Sequence, residues 1–196
     1  MSSVFSKLSL SFVVTSTLIM TGCQSLKPAQ NTPIPTPTLP TAQNTFALQG
    51  KIGVKTPKQS GSAFFTWQQQ QDEFDIELSG ILGVGKTQIS GSGGEVTLNS
   101  AKTGLITADT PEELLERATG WQAPITHLVD WVQARAATPE AKMSHDTQQR
   151  PLQILEDGWT VDLSYNDNAT LPNKLILKQT LESNQENRIT MIIQNR

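Results

Sequence analysis

The sequence predicts an α+β fold that is mostly β: an antiparallel sheet with two helices packed on its apolar face. Apolar and polar residues alternate along many short segments. Two helical patterns with clear start signals interrupt those segments. The 196 residues, 36% of them hydrophobic, can build one core of ordinary size but not two domains with linkers.

From Phe46 onward the period is two. Phe46, Leu48, Gly50, Ile52 and Val54 share one face, and Ala63, Phe65 and Trp67 repeat the pattern. Phe74, Ile76 and Leu78 alternate with Asp75, Glu77 and Ser79. After an Asp157-Gly158 turn signal, Trp159, Val161, Leu163 and Tyr165 alternate with Thr160, Asp162 and Ser164, and Ile189, Met191 and Ile193 close the series. Such alternation describes antiparallel strands with one wet and one dry face. Between these segments, Thr110-Pro111-Glu112-Glu113 is a capping box with proline at the first helical position, followed by Leu114, Leu115 and Ala118 and stopped by Gly120. A second helix is expected from Pro124, carrying Ile125, Leu128, Val129 and Val132. The dry face is equally compatible with a solid core and with the wall of a lipid-sized cavity, because both demand the same alternation.

Composition narrows the chemistry. Cys23 is the only cysteine, so no disulfide can form within the chain and no thiolate zinc cluster can be built. His127 and His145 are the only histidines, which disfavours a multi-histidine metal site. The net charge of −3 argues against a nucleic-acid binder. The charge is also uneven. Residues 1–71 carry Lys7, Lys27, Lys51, Lys55 and Lys58 and no acid, while residues 72–196 are net acidic. That asymmetry predicts that the basic end faces an anionic surface.

Residues 1–22 read as a secretory signal, with Lys7 followed by an apolar run from Leu8 to Met20 that is too short to span a bilayer. The run ends at Met20-Thr21-Gly22-Cys23, which is similar to the bacterial lipobox, where the cysteine is acylated and becomes the new N-terminus. With two or more acyl chains such an anchor is stable. Gln24 follows, and by resemblance to bacterial lipoproteins the absence of Asp there directs the protein to the outer membrane. Residues 23–45 comprise the lipidated cysteine and a tether with five prolines and no acids, too poor in large apolar groups to fold. As polyproline-like chain it reaches up to roughly 60 Å. The single folded domain is expected over residues 46–196.

Gly80 to Thr87 satisfies the phosphate-loop pattern G-x-x-x-x-G-K-[ST]. That loop works only between a buried parallel strand and a helix whose amides cradle phosphate. Here an alternating strand precedes it and a glycine-rich, β-like segment follows, so nucleotide binding is rejected. What remains is an apolar tip, Ile81, Leu82 and Val84 between glycines, either tucked into the core or exposed to a partner or membrane. Ser144-His145-Asp146 has the residue types of a catalytic triad, but adjacent side chains do not form the relay, and a solvated loop between helix and strand is expected. His127 reads as a core-edge histidine, and Glu112, Glu113 and Glu116 as favourable charge near a helix N-terminus and on a solvated face. No catalytic constellation, metal site or cofactor site stands out, and no enzyme activity is expected.

Five segments occur in a distinctive order: Phe64-Phe65-Thr66-Trp67; Leu78 with Gly80-Ile81-Leu82-Gly83; Ala108 to Leu115; Thr119 to Pro124; and Leu128-Val129-Asp130-Trp131-Val132. With the lipobox, this set resembles the LolB family of outer-membrane lipoprotein receptors of Gram-negative bacteria, over about residues 46–134. The resemblance implies a half-open antiparallel β-barrel whose apolar concave face is covered by helices and holds acyl chains. It also implies acceptance of cargo lipoproteins from a soluble, LolA-like periplasmic carrier and their insertion into the outer membrane, by a monomer anchored to the inner leaflet and facing the periplasm. The family's exposed loop leucine falls on Leu82. Where the family often has proline before that leucine this chain has Ile81, and where it often has glycine after the second tryptophan this chain has Gln133-Ala134. Candidate residues for the acyl cavity are Phe46, Leu48, Ile52, Phe65, Trp67, Ile76 and Leu78, with Leu115 and Leu128 from the helices. The competing reading is a non-catalytic structural outer-membrane lipoprotein with a filled barrel; a third, an enzyme acting on envelope lipids or glycans, lacks the acid–base or nucleophile cluster it needs.

Overall fold

A computed structural model describes residues 44–80 and 85–196. Cys23, the expected signal and tether, and Ile81, Leu82 and Val84 lie outside the described residues.

Strands β1 (Thr45–Lys55), β2 (Ser60–Gln70), β3 (Glu73–Ser79), β4 (Lys86–Ser92), β5 (Glu95–Ser100) and β6 (Gly104–Ala108) form an antiparallel meander. Helix α1 (Pro111–Thr119), a 3₁₀ turn (Ile125–His127) and the single-turn helix α2 (Leu128–Trp131) follow. Strands β7 (Lys142–His145), β8 (Pro151–Glu156), β9 (Trp159–Ser164), β10 (Lys174–Thr180) and β11 (Glu186–Asn195) make a second meander. The first and last strands pair, antiparallel, and weld the two meanders into one eleven-stranded sheet, ordered β6-β5-β4-β3-β2-β1-β11-β10-β9-β8-β7. Among the described residues β6 and β7 are not paired to each other, so the barrel is half open, as expected.

The sheet obeys the alternation. Along β2, Ala63, Phe65, Trp67 and Gln69 are buried while their neighbours face solvent, apart from the partly covered Gly61. The β8–β9 hairpin turns on Asp157 and Gly158 at φ 47° and 77°, the two left-handed residues that a tight hairpin of matching twist requires. At the seam between the meanders a bulge falls at Gln49/Gly50, and a Cβ on Gly50 would stand 1.9 Å from the Ile192 carbonyl oxygen. Only glycine lets the two strands close there.

Helix α1 begins as its sequence signals. Thr110 Oγ1 accepts from the Glu113 amide at 3.2 Å, and the Glu113 carboxylate reaches back to the Asp109 amide at 3.0 Å. Gly120 closes the helix, its N–H donating to the Glu116 carbonyl. The second helical segment is shorter than expected. It holds Ile125 to Trp131 as a 3₁₀ turn and one α turn, with Val132 as its C-cap. Ala134 then takes φ 57°, a left-handed exit from the helix.

What locks α2 down is a buried carboxylate that alternation alone does not foresee. Glu156, 5% exposed, accepts from Trp131 Nε1 at 2.6 Å, from the Ala137 amide at 3.2 Å and from the Thr138 amide. Burial pushes its pKa up, but the hydrogen bonds from Trp131, Thr138 and Ala137 outweigh it and hold the carboxyl below its ordinary value. Arg196 adds a second strap, donating to the Val132 carbonyl at 2.8 Å and the Pro172 carbonyl at 2.6 Å.

Two outcomes follow. A depressed folded-state pKa contributes stability that is present above the unfolded value of about 4.5 and lost as pH falls through the folded value. Glu156→Gln leaves at least one donor unpaired and should cost about 2–3 kcal/mol at pH 7. Its unfolding free energy should also vary less with pH below 4.5 than that of the parent, as read by urea titrations. Ala134→Gly should raise stability by up to about 1 kcal/mol, because relief of a left-handed alanine outweighs the added unfolded-state entropy; a lower melting temperature would contradict the strain.

Candidate functional site

The concave face of the curled sheet is the candidate site, and the structure brings all nine sequence-predicted lining residues to it. Leu48, Phe65, Trp67 and Leu128 are buried in one apolar cluster, and Phe46, Ile52, Ile76, Leu78 and Leu115 are half-buried against it. Register explains the grouping. Leu48 pairs with Trp67, Trp67 with Ile76, and Ile76 with Ile89, a row running across four strands. Gly50, Phe65 and Leu78 form the next row. The Phe46 ring meets Trp67 edge-on at 5.0 Å. The Trp67 indole N–H donates to Gln69 Oε1 at 2.9 Å, and Gln69 Nε2 donates onward to the Gln71 carbonyl at 2.6 Å. This satisfies the polar groups of a buried glutamine.

Coverage of the face is graded. On β8 to β11, Ile154, Val161, Leu175, Leu177, Ile189 and Met191 are 0–2% exposed under Trp131 and Val132. On β1 and β3, Phe46, Ile52, Val54, Phe74, Ile76 and Leu78 are only partly covered. Helix α1 docks through Leu114 onto a separate cluster with Val96 and Ala108, and Phe74 touches both clusters. The apolar strip of β1 and β3 thus lies between the anchorage of α1 on β5–β6 and that of α2 on β8–β11.

Several residues were not singled out as contributors to this site. Trp121 packs against Trp159 at 6.4 Å, and its indole nitrogen is buried without a partner among the described residues. Glu112 is more than helix-end charge: its carboxylate accepts from the Thr126 amide at 2.8 Å and Thr126 Oγ1 at 2.9 Å, tying α1 to the 3₁₀ turn. The capping-box pattern displays Glu112, but its partner fourteen residues on is set by the tertiary path.

The remaining motifs take structural places. Lys86 and Thr87 of the phosphate-loop pattern open strand β4, antiparallel to β3, and Lys86 is ion-paired with Glu77 at 2.5 Å. A strand and not a helix N-terminus follows Lys86 and Thr87. His145 is an exposed strand end rather than part of a helix–strand loop, and Asp146 caps the β7–β8 turn by accepting from the Gln148 and Arg150 amides and from Arg150 Nε. His127 stacks edge-on against Trp131 at 5.5 Å, with Nδ1 3.5 Å from Asp157.

Two grooves open at the surface. One of about 530 Å³ runs over the outer face of β2 to β5, among Gln68, Gln70, Glu73, Asp75, Ser92 and Glu95. Another of about 380 Å³ lies beside Thr138, Lys142, Glu156 and Thr160. Neither is lined by the nine sequence-predicted residues.

The family model described as Outer membrane lipoprotein LolB matches residues 44–195. The curated Outer-membrane lipoprotein LolB of Stutzerimonas stutzeri is 35% identical over 173 residues, covering 82% of this chain and 84% of that protein. Its namesake in Pseudomonas putida strain F1 is 40% identical over 136 residues, covering 67% of this chain and 66% of its own. That of Pseudomonas savastanoi is 43% identical over 123 residues, covering 61% of this chain and 60% of its own. The chain therefore belongs to the LolB family of outer-membrane lipoproteins.

Proposed function

We propose that this protein is a receptor that accepts lipoproteins from a soluble, LolA-like periplasmic carrier and incorporates them into the outer membrane, holding their acyl chains against its concave face. The observation that carries the reading is the half-covered apolar strip of Phe46, Ile52, Val54, Ile76 and Leu78 beside a fully packed half. A cargo with several acyl chains cannot cross water bare, since each exposed CH₂ costs about 0.8 kcal/mol. A receptor for it needs an apolar concavity and an anchor, and no cofactor, energy source or catalytic group. In this reading residues 1–22 are the signal, Cys23 carries the lipid, residues 23–45 are the tether, and a monomeric domain over residues 46–196 does the binding. Leu82, with Ile81 and Val84, is the tip that enters the leaflet. The competing reading, a structural lipoprotein with a filled barrel, draws on the near-complete burial over β8–β11.

A titration of the intact protein with a fluorescent acyl probe separates the two. Saturable binding, displaced by a triacylated lipopeptide, is expected. Ile76→Ser and Leu78→Ser should each weaken it about tenfold, the loss of roughly 1–2 kcal/mol of apolar contact. A folded protein that binds no probe would favour the filled barrel.

Leu82→Glu should change stability by less than about 0.5 kcal/mol and leave acceptance of cargo from the carrier intact. Transfer of that cargo into membranes should be lost, because an apolar side chain entering the leaflet is replaced by a charge. A large drop in melting temperature would place the tip in the core instead.

A further inference from the structure

The register places a mixed row on the outer face of the sheet that no single segment displays. Lys86 pairs with Ser79, Ser79 with Phe64, Phe64 with Lys51, Lys51 with Ile192, and Ile192 with Lys174. All six face away from the concave side. Phe64 is 58% exposed and Ile192 41%, and they flank Lys51 from either neighbouring strand. Lys51 Nζ stands 5.9 Å over the Phe64 ring. Four residues along the same strands, Lys55 pairs with Arg188 and Arg188 with Lys178, a second basic row. Lys86, Lys178 and Arg188 have acidic partners in Glu77, Asp162 and Glu186. Among the described residues Lys51, Lys55 and Lys174 make no ion pair. The same outer face turns acidic on β3 to β5, where Glu73, Asp75 and Glu95 border the larger groove.

We propose that this stripe on β2, β1, β11 and β10 is a membrane-docking surface that lies against anionic phospholipid of the leaflet to which the protein is anchored. Two large apolar side chains on either side of Lys51, with Lys174 beyond Ile192, match the layering of a bilayer interface. The rings and branched chains enter the boundary below the headgroups while ammonium groups reach phosphate. Each lysine near such a surface contributes an attraction that fades within a Debye length, so the stripe works only when the tether lets the sheet lie down. The acidic half sets the orientation, because anionic lipid repels it. Lone exposed hydrophobic residues are ordinary; two of them flanking a free lysine on an outer-membrane lipoprotein have a surface at hand to cover them. The inference rests on the outer-membrane location and not on acyl binding in the concave face.

The test uses lipidated full-length protein in vesicles of phosphatidylethanolamine with or without phosphatidylglycerol. An environment-sensitive fluorophore is attached through Ser62→Cys, exposed on β2 beside the stripe, or through Ser92→Cys, exposed on the acidic half. The parent, whose one cysteine is Cys23, sets the background. A quencher carried in the headgroup region should quench the Ser62→Cys label and spare the Ser92→Cys label, with the effect requiring phosphatidylglycerol and fading at high salt. Lys51→Glu with Lys174→Glu should lower the ratio of docked to undocked domain at least thirtyfold, and Phe64→Ser should lower it with little change in salt dependence. Circular dichroism melts of these variants should match the parent. Equal quenching of both labels, or unchanged quenching in the folded double-lysine variant, would overturn the proposal. So would charge variants that keep their lipid contact but no longer accept cargo in solution, which would assign the stripe to an acidic protein partner. Probe binding in the concave face should be unaffected throughout, so this inference and the receptor reading fail separately.

Discussion

One continuous apolar sheet face has to be hidden by very little helix. The sheet has eleven strands, yet α1 supplies nine residues and α2 only four. A flat sheet of that width would leave most of its dry face in water, at roughly 25 cal/mol per Å². The sheet therefore curls, and pairing of β1 with β11 joins the two meanders side by side with their seam in its middle. Residues from β1, β2 and β8 to β11 then bury one another around Trp131 and Val132. Gly50 permits the β1–β11 seam, where the strands approach too closely for any side chain.

Coverage supplied this way is uneven. The half beneath α2 is sealed and is held by charge-assisted hydrogen bonds to Glu156, the kind that are strongest when buried and fully paired. On β1 and β3, Phe46, Ile52, Ile76 and Leu78 are only half-buried, although Leu48 and the inward side chains of β2 between them are sealed, and helix α1 is anchored off to one side on β5 and β6. Glu112 bridges the two regions through Thr126, an exposed contact that costs little to break.

The outer face answers to different physics. Side chains there fill no core, so their charges are free to be arranged by interactions outside the molecule. Lysines and apolar residues gather near the β1–β11 seam, and carboxylates gather around the groove on β3 to β5. Of the exposed lysines expected to face an anionic surface, Lys51 and Lys55 lie on this face of β1. Lys174 and Ile192, far away in the chain, complete the patch.

Period-two alternation, the capping box at Thr110, the Asp157-Gly158 turn and the failure of the phosphate-loop pattern are all local, and each was legible in the residues alone. So was the shared apolar face of Phe46, Leu48, Ile52, Phe65, Trp67, Ile76 and Leu78, because the face a side chain takes on a strand follows from its position in the alternation. Other elements resist such reading. On β8, Leu152 and Leu155 are exposed and Glu156 is buried, so hydropathy alone misassigns the strand; only Trp131 and the amides of residues 137 and 138 make a buried carboxylate tolerable. Strands β4 to β6 are short, β4 and β5 are largely polar, and they are strands because β3 and α1 offer them partners and cover. The pairing of β1 with β11, and with it the concave face and the Phe64–Lys51–Ile192 row, joins residues from opposite ends of the chain. Alternation is set by backbone geometry within a segment, whereas the neighbour of a strand is set by closing long loops against the burial they permit, and that balance exists only in the folded whole.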